Sequence, residues 1–124
     1  MNRQEIFDKV ANHLLTQNAQ AETFVSNESG AVYNICAYRT DDGLKCAVGC
    51  LIPDELYSFK LEGIGTVSPD FPKEIFTSIF GENYSELDTY FLRCLQHIHD
   101  FHDPSEWKSA LKEFSISYNL EWKF

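Results

Sequence analysis

Three of the four cysteines stand in residues 36–55, CAYRTDDGLKCAVGCLIPDE, and a deprotonated thiol is both a soft metal ligand and a strong nucleophile. Cys46 and Cys50 have three residues between them, within the range at which paired zinc ligands close a compact chelate. Cys36 could join them, with Cys94 or a histidine completing a structural zinc site. On a strand, however, the Cα atoms of Cys46 and Cys50 would lie about 13 Å apart, too far for one ion. Only a helical or kinked segment brings the two together. Their neighbours Ala47, Val48 and Gly49 are apolar or small, and a buried free cysteine packs as a small hydrophobe. Core packing is therefore the favoured expectation, and zinc at Cys36, Cys46 and Cys50 is the alternative.

The other grouping of chemically capable residues is His97, His99 and His102. On a helix His99 and His102 share a face, whereas His97 lies roughly 200° from His99, so the three do not form one ligand set. Histidines in a last helical turn are also favoured by the carbonyl end of the helix dipole, with no ligand required. His13 reads as a boundary residue of its own helix. Lys45 could lower the pKa of the Cys46 thiol, but no catalytic-cysteine signature accompanies it. The chain contains no phosphate-binding glycine loop, nucleophile elbow or HExxH. Arg39, at the end of a predicted strand, is expected to pair with Asp41, Asp42 or Asp54. Enzymatic chemistry has little to stand on.

Charge is distributed unevenly. Of the 19 acids and 10 bases behind the net charge of −9, residues 54–106 hold eleven acids and three bases. That balance excludes a basic patch able to displace phosphate counterions, so direct nucleic-acid binding is not expected. It suits a protein kept soluble by self-repulsion, or one that meets a basic partner. Glu82, Glu86 and Asp88 are the acids expected to face such a partner.

The elements that must position these groups follow from periodicity. Residues 2–19 form an amphipathic helix with Asn2 and Glu5 as a capping box and Ile6, Val10 and Leu14 on one stripe. Residues 21–31 carry a loop signature. Residues 32–39 have strand character, 40–43 turn, and 44–52 return as a second hairpin strand or a short buried segment. Gly49 inside it marks a bulge or a close backbone approach. Pro72 and Gly81 bracket a short helix over 73–80. Residues 85–102 form the clearest helix, with Ser85 and Asp88 as its cap. Its expected core stripe is Leu87, Phe91, Cys94, Leu95, Ile98 and Phe101. Asp103 caps a last helix with Pro104 at its first position, and Trp107, Leu111 and Phe114 on one face. The fold class expected is α+β, with three to four helices packed on a short antiparallel hairpin in one domain spanning 1–124. Tyr118, Trp122 and Phe124 are expected either to dock as a tail or to make a homodimer contact.

The N-terminus lacks a signal peptide's apolar run, and no window approaches the roughly 18 apolar residues of a membrane span. A soluble, cytoplasmic protein with reduced thiols is expected.

Tyr38-Arg39 followed by Asp42-Gly43-Leu44-Lys45-Cys46-Ala47-Val48-Gly49-Cys50-Leu51-Ile52-Pro53-Asp54-Glu55 resembles a motif of small proteins of bacteria and their phages. In these a YRG-like strand precedes a K-C-A-[VI]-G-x-L-I-P-D run, behind an N-terminal helix. Thr40 stands where the motif has glycine. No activity attaches to that group, so the resemblance implies a setting, the host bacterial cytoplasm, rather than a mechanism. The expectation is a non-enzymatic phage or mobile-element accessory protein that inhibits or modulates a host protein through an acidic surface. A small zinc or thiol protein is the alternative.

Overall fold

Capping boxes open three of the four helices, the two expected at Asn2 and Ser85 and a third at Asp103. The computed structural model describes every residue except Asn27, and of Val25, Tyr33 and Asn34 the backbone alone. Helix α1 (Arg3–Gln17) starts with the Asn2 side chain accepting from the Glu5 amide, and Glu5 reciprocating at the Asn2 amide. Helix α3 (Glu86–Phe101) uses Ser85 and Asp88 in the same way, and α4 (Pro104–Ser117) uses Asp103 and Glu106. Each box satisfies amide donors that the first turn leaves without helical partners. Helix α2 (Lys73–Phe80) instead begins after Pro72 and ends at Gly81, whose φ of 103° closes the turn.

The α+β class is observed: four helices and one two-stranded antiparallel sheet. The hairpin partners differ from those expected. Strand β2 (Val32–Cys36) pairs with β1 (Glu22–Ser26), which lies in the 21–31 stretch that Ser26, Asn27, Ser29 and Gly30 marked as loop. Of the two readings of 44–52, the short buried segment is the one observed, and the return strand does not form. After one isolated bridge, Arg39 to Lys45, the chain coils helically. The Cys50 amide donates to the Cys46 carbonyl at 3.0 Å, and Gly49–Leu51 is a one-turn 3-10 helix. Sidedness explains the difference. Cys46, Ala47, Val48, Gly49, Leu51 and Ile52 are all buried, whereas a half-buried strand would turn alternate residues to water. Helix α1 holds the start of this turn across the fold: His13 Nε2 and Gln17 Nε2 both donate to the Lys45 carbonyl, at 2.8 and 2.9 Å.

One hydrophobic core joins α1, α3 and α4 to the 46–52 turn and α2. Trp107, Phe7, Phe91, Leu14, Leu95 and Leu111 are wholly enclosed in it. Each such side chain contributes about 1.5–3 kcal/mol by leaving water. Phe7 and Phe114 stack at 5.8 Å, and Phe91 meets Phe114 at 5.2 Å and Tyr118 edge-on at 5.0 Å. The C-terminal residues dock as a tail. Trp122 lies 6.3 Å from Phe7, Gln4 exchanges two hydrogen bonds with the Glu121 backbone, and Lys123 pairs with Asp8 at 2.8 Å.

On α3 the expected core stripe is too wide. Phe91, Leu95 and Ile98 are buried, joined by Leu92 and His99, but Leu87 is 71% and Phe101 73% exposed. Cys94 is half-buried. Residues 87, 94 and 101 recur every seven positions and so lie on one line, turned away from the 91–95–98 line that faces α1 and α4.

Candidate functional site

Where α3 ends, it meets the hairpin through a closed set of polar groups. His99 is fully buried, and its Nε2 accepts the Ala21 amide proton at 3.0 Å. The ring proton is therefore on Nδ1, which donates to Asp100 Oδ1 at 2.8 Å. Asp100 Oδ1 also accepts from Gln96 Nε2 at 2.8 Å, while Gln96 Oε1 accepts the Val48 amide at 2.8 Å. The Cys36 sulfur lies within 4.8 Å of the same carboxylate. Gln20 Nε2 closes the far side by donating to the carbonyls of His99 and His102. Burial pushes the Asp100 carboxyl up, but hydrogen bonds from His99, Cys36 and Gln96 outweigh it and hold it below its usual value.

Cys36, His99 and Asp100 each bring a potential ligand atom within 4.8 Å of the others, and among the described residues no such group of three includes Cys46 or Cys50. The donor set fits a cation poorly. A metal on Nδ1 would force the ring proton to Nε2, directly against the Ala21 N–H. The order of groups also differs from that of a thiol enzyme. The imidazole turns its only lone pair to a backbone amide, so it cannot take a proton from Cys36.

The other thiols are equally inert. Cys46 Sγ accepts the Gly49 amide at 3.3 Å, and Cys50 Sγ donates to the Ala47 carbonyl at 3.1 Å. Burial pushes Cys50 up to about 12 and Cys46 higher still, and burial together with Asp100 and Glu22 pushes Cys36 up to about 12. None of the three carries appreciable thiolate at neutral pH, the form that attacks or ligates. Of the expected zinc ligands, Cys46 and Cys50 do share one helical turn, but each sulfur is already satisfied by the turn's own backbone. His102 lies at the end of α3, where its carbonyl accepts from Trp107 Nε1 at 3.1 Å. His97 is exposed and stacks on Phe101 at 4.4 Å.

Arg39 pairs with Asp54 at 2.8 Å, one of its three expected partners, and lies over the Tyr57 ring at 4.7 Å. Glu62 has an architectural role that no sequence signal marked. Its carboxylate accepts from the amides of Tyr38 and Arg39 and from the Tyr57 hydroxyl, at 2.8, 3.1 and 2.7 Å.

The acids expected to face a partner divide. Asp88 caps α3 and pairs with Arg3 at 3.1 Å, and its carboxyl is held below its usual value by the Ser85 amide and by Arg3. Glu82 and Glu86 are exposed. With Asp70 and Glu74, also exposed, they place four carboxylates between residues 70 and 86, around α2 and the turn into α3. Among the described residues none of the four has a basic group within 4.0 Å, whereas Asp8, Asp54, Asp88 and Asp100 all do.

What fold and site define together is the class: a small α+β protein whose Cys46 and Cys50 sulfurs are held by the backbone of their own turn, with exposed acids around α2. No family model, curated protein or solved structure matches the chain. No helix among the described residues is long and apolar enough to cross a membrane.

Proposed function

We propose that this is a non-enzymatic binding protein whose acidic corner, Asp70, Glu74, Glu82 and Glu86, engages a basic surface of a partner protein. The observation that carries the reading is that these four carboxylates are exposed, fall together between residues 70 and 86, and have no basic group within 4.0 Å among the described residues. Unpaired like charges repel one another, and a basic partner relieves that cost while steering its own approach. The resemblance around residues 38–55 supports a phage or mobile-element accessory protein that inhibits or modulates a host protein. Asp88 belongs to the fold, so the contact set is Glu82 and Glu86 with Asp70 and Glu74. The zinc or thiol alternative has less support, because the Cys46 and Cys50 sulfurs are engaged by the backbone of their own turn and, among the described residues, Cys36 is grouped with His99 and Asp100 instead.

The test is affinity capture from bacterial lysate with the wild type and with Glu82→Lys/Glu86→Lys. A partner held by the wild type, released by added salt and lost with the double variant supports the proposal. A partner captured equally by both would sink the acidic-surface reading.

A further inference from the structure

The longest helix carries a second, unpartnered seam. Leu87, Tyr90, Cys94, His97 and Phe101 follow one another at spacings of three and four residues along α3, the period that lines one side of a helix for a helical partner. Leu87 and Phe101 are 71% and 73% exposed and Tyr90 53%, with His97 also exposed. Between these protruding side chains, Cys94 sits in a depression of about 370 Å³ that it shares with Tyr90, Arg93 and His97. Knobs flank a hole on the same face. That arrangement is self-complementary.

We infer that α3 pairs antiparallel with the α3 of a second copy of this chain. In the pairing, Tyr90 packs against the partner's Phe101, and Cys94 against the partner's His97. Charge selects this register. Arg93 flanks the seam, its Nε is buried with no hydrogen-bond partner, and among the described residues no carboxylate lies within 4.0 Å of it. The antiparallel register sets Arg93 beside the partner's Asp100, seven residues later on the same side of the helix, whose side chain stays 25% exposed beyond its bonds to His99 and Gln96, and the twofold repeats the pair. Charge also selects the direction. A parallel pair would bring the two acidic corners together. The antiparallel pair separates the two Glu86 positions by about 28 Å along the axis, at 1.5 Å per residue, and screening reaches only about 8 Å in physiological salt. Tyr90, Phe101 and Leu87 each offer on the order of 100–150 Å², so the seam falls at the small end of stable interfaces, where association is weak and concentration-dependent.

Light scattering coupled to size-exclusion chromatography, over a concentration series, tests the pairing. The wild type should shift from monomer to dimer as concentration rises. Phe101→Glu should raise the dissociation constant at least about tenfold, as for a buried aromatic anchor. Arg93→Glu should weaken the dimer by setting like charges side by side, an effect that salt reduces. Phe59→Glu, an equally exposed aromatic off the seam, should leave the dimer unchanged, and circular dichroism confirms that each variant is folded. A wild type monomeric at every concentration would overturn the inference, even if some other helix bound the face. So would a dimer that Phe101→Glu and Arg93→Glu disturb no more than Phe59→Glu does.

Discussion

A Cβ atom at Gly49 would stand 1.8 Å from the carbonyl oxygen of Tyr38. The 46–51 turn thus lies directly against the backbone that leaves β2, and the Cys46 amide donates to that same Tyr38 oxygen at 3.2 Å. The Gly49 amide is in turn occupied by Cys46 Sγ. Cys46 and Gly49 form one unit: the sulfur closes the turn, and the missing side chain lets it dock.

Gly49→Ala should accordingly destabilise the fold at or above the top of the usual overpacking range, about 1–3 kcal/mol. The obstructing atom is backbone, which cannot rotate away. Urea unfolding checks this, and a midpoint unchanged from wild type would mean the close approach is not maintained in solution.

Acid should loosen the junction of α3 with the hairpin. The folded-state pKa of Asp100 is depressed, so its contribution to stability is present above its unfolded value of about 3.9 and is lost as pH falls through the lower folded value. Asp100→Asn replaces an acceptor shared by His99 and Gln96, and should cost about 1–3 kcal/mol at neutral pH. The variant should also show a shallower loss of stability on acidification, measured by thermal melts between neutral and acidic pH.

Alkali should act through the thiols. Cys36 and Cys50 titrate near 12 in the fold against a reference of 9.0. Their stabilising contribution is complete below pH 9 and lost as pH climbs through about 12. The same shift predicts slow alkylation by iodoacetamide at pH 8, for exposed Cys36 as well as for Cys50. Mass spectrometry of the quenched reaction reads this directly. Labelling of Cys36 at the rate of a free thiol would show that burial and Asp100 do not hold its thiol up in solution.

Glu62→Gln should free one of the three groups its carboxylate holds, because a carboxamide offers one acceptor oxygen where two are used. With the Tyr38 and Arg39 amides both part-buried, the cost should be about 1–3 kcal/mol. Faster amide hydrogen exchange at Tyr38 and Arg39 would mark the loss locally.

The helices and their ends were legible because their signals are local. The Asn2/Glu5 and Ser85/Asp88 boxes, Pro72 and Gly81, and Asp103-Pro104 each act within one turn of chain. Gly49 also carried its meaning, a close backbone approach, since only a bare Cα fits there. The choice between Asp41, Asp42 and Asp54 as partner of Arg39 could not be made locally, because the chain path beyond Pro53 decides it.

What residue order alone determined is the set of helices, the α+β class and an acid excess concentrated in residues 54–106. Tertiary structure decided the rest. It paired β2 with β1 rather than with residues 44–52, because consecutive residues from 46 to 49 are buried and a helical turn satisfies that backbone internally. It set Leu87 and Phe101 outside the core and Cys94 at its margin, because α1 and α4 cover only one side of α3's apolar arc. It drew Cys36, Gln96, His99 and Asp100 into one network and withdrew Asp88 from the acidic surface. Hydrogen bonds between distant residues depend on where whole elements pack, and the identity of a side chain does not record that.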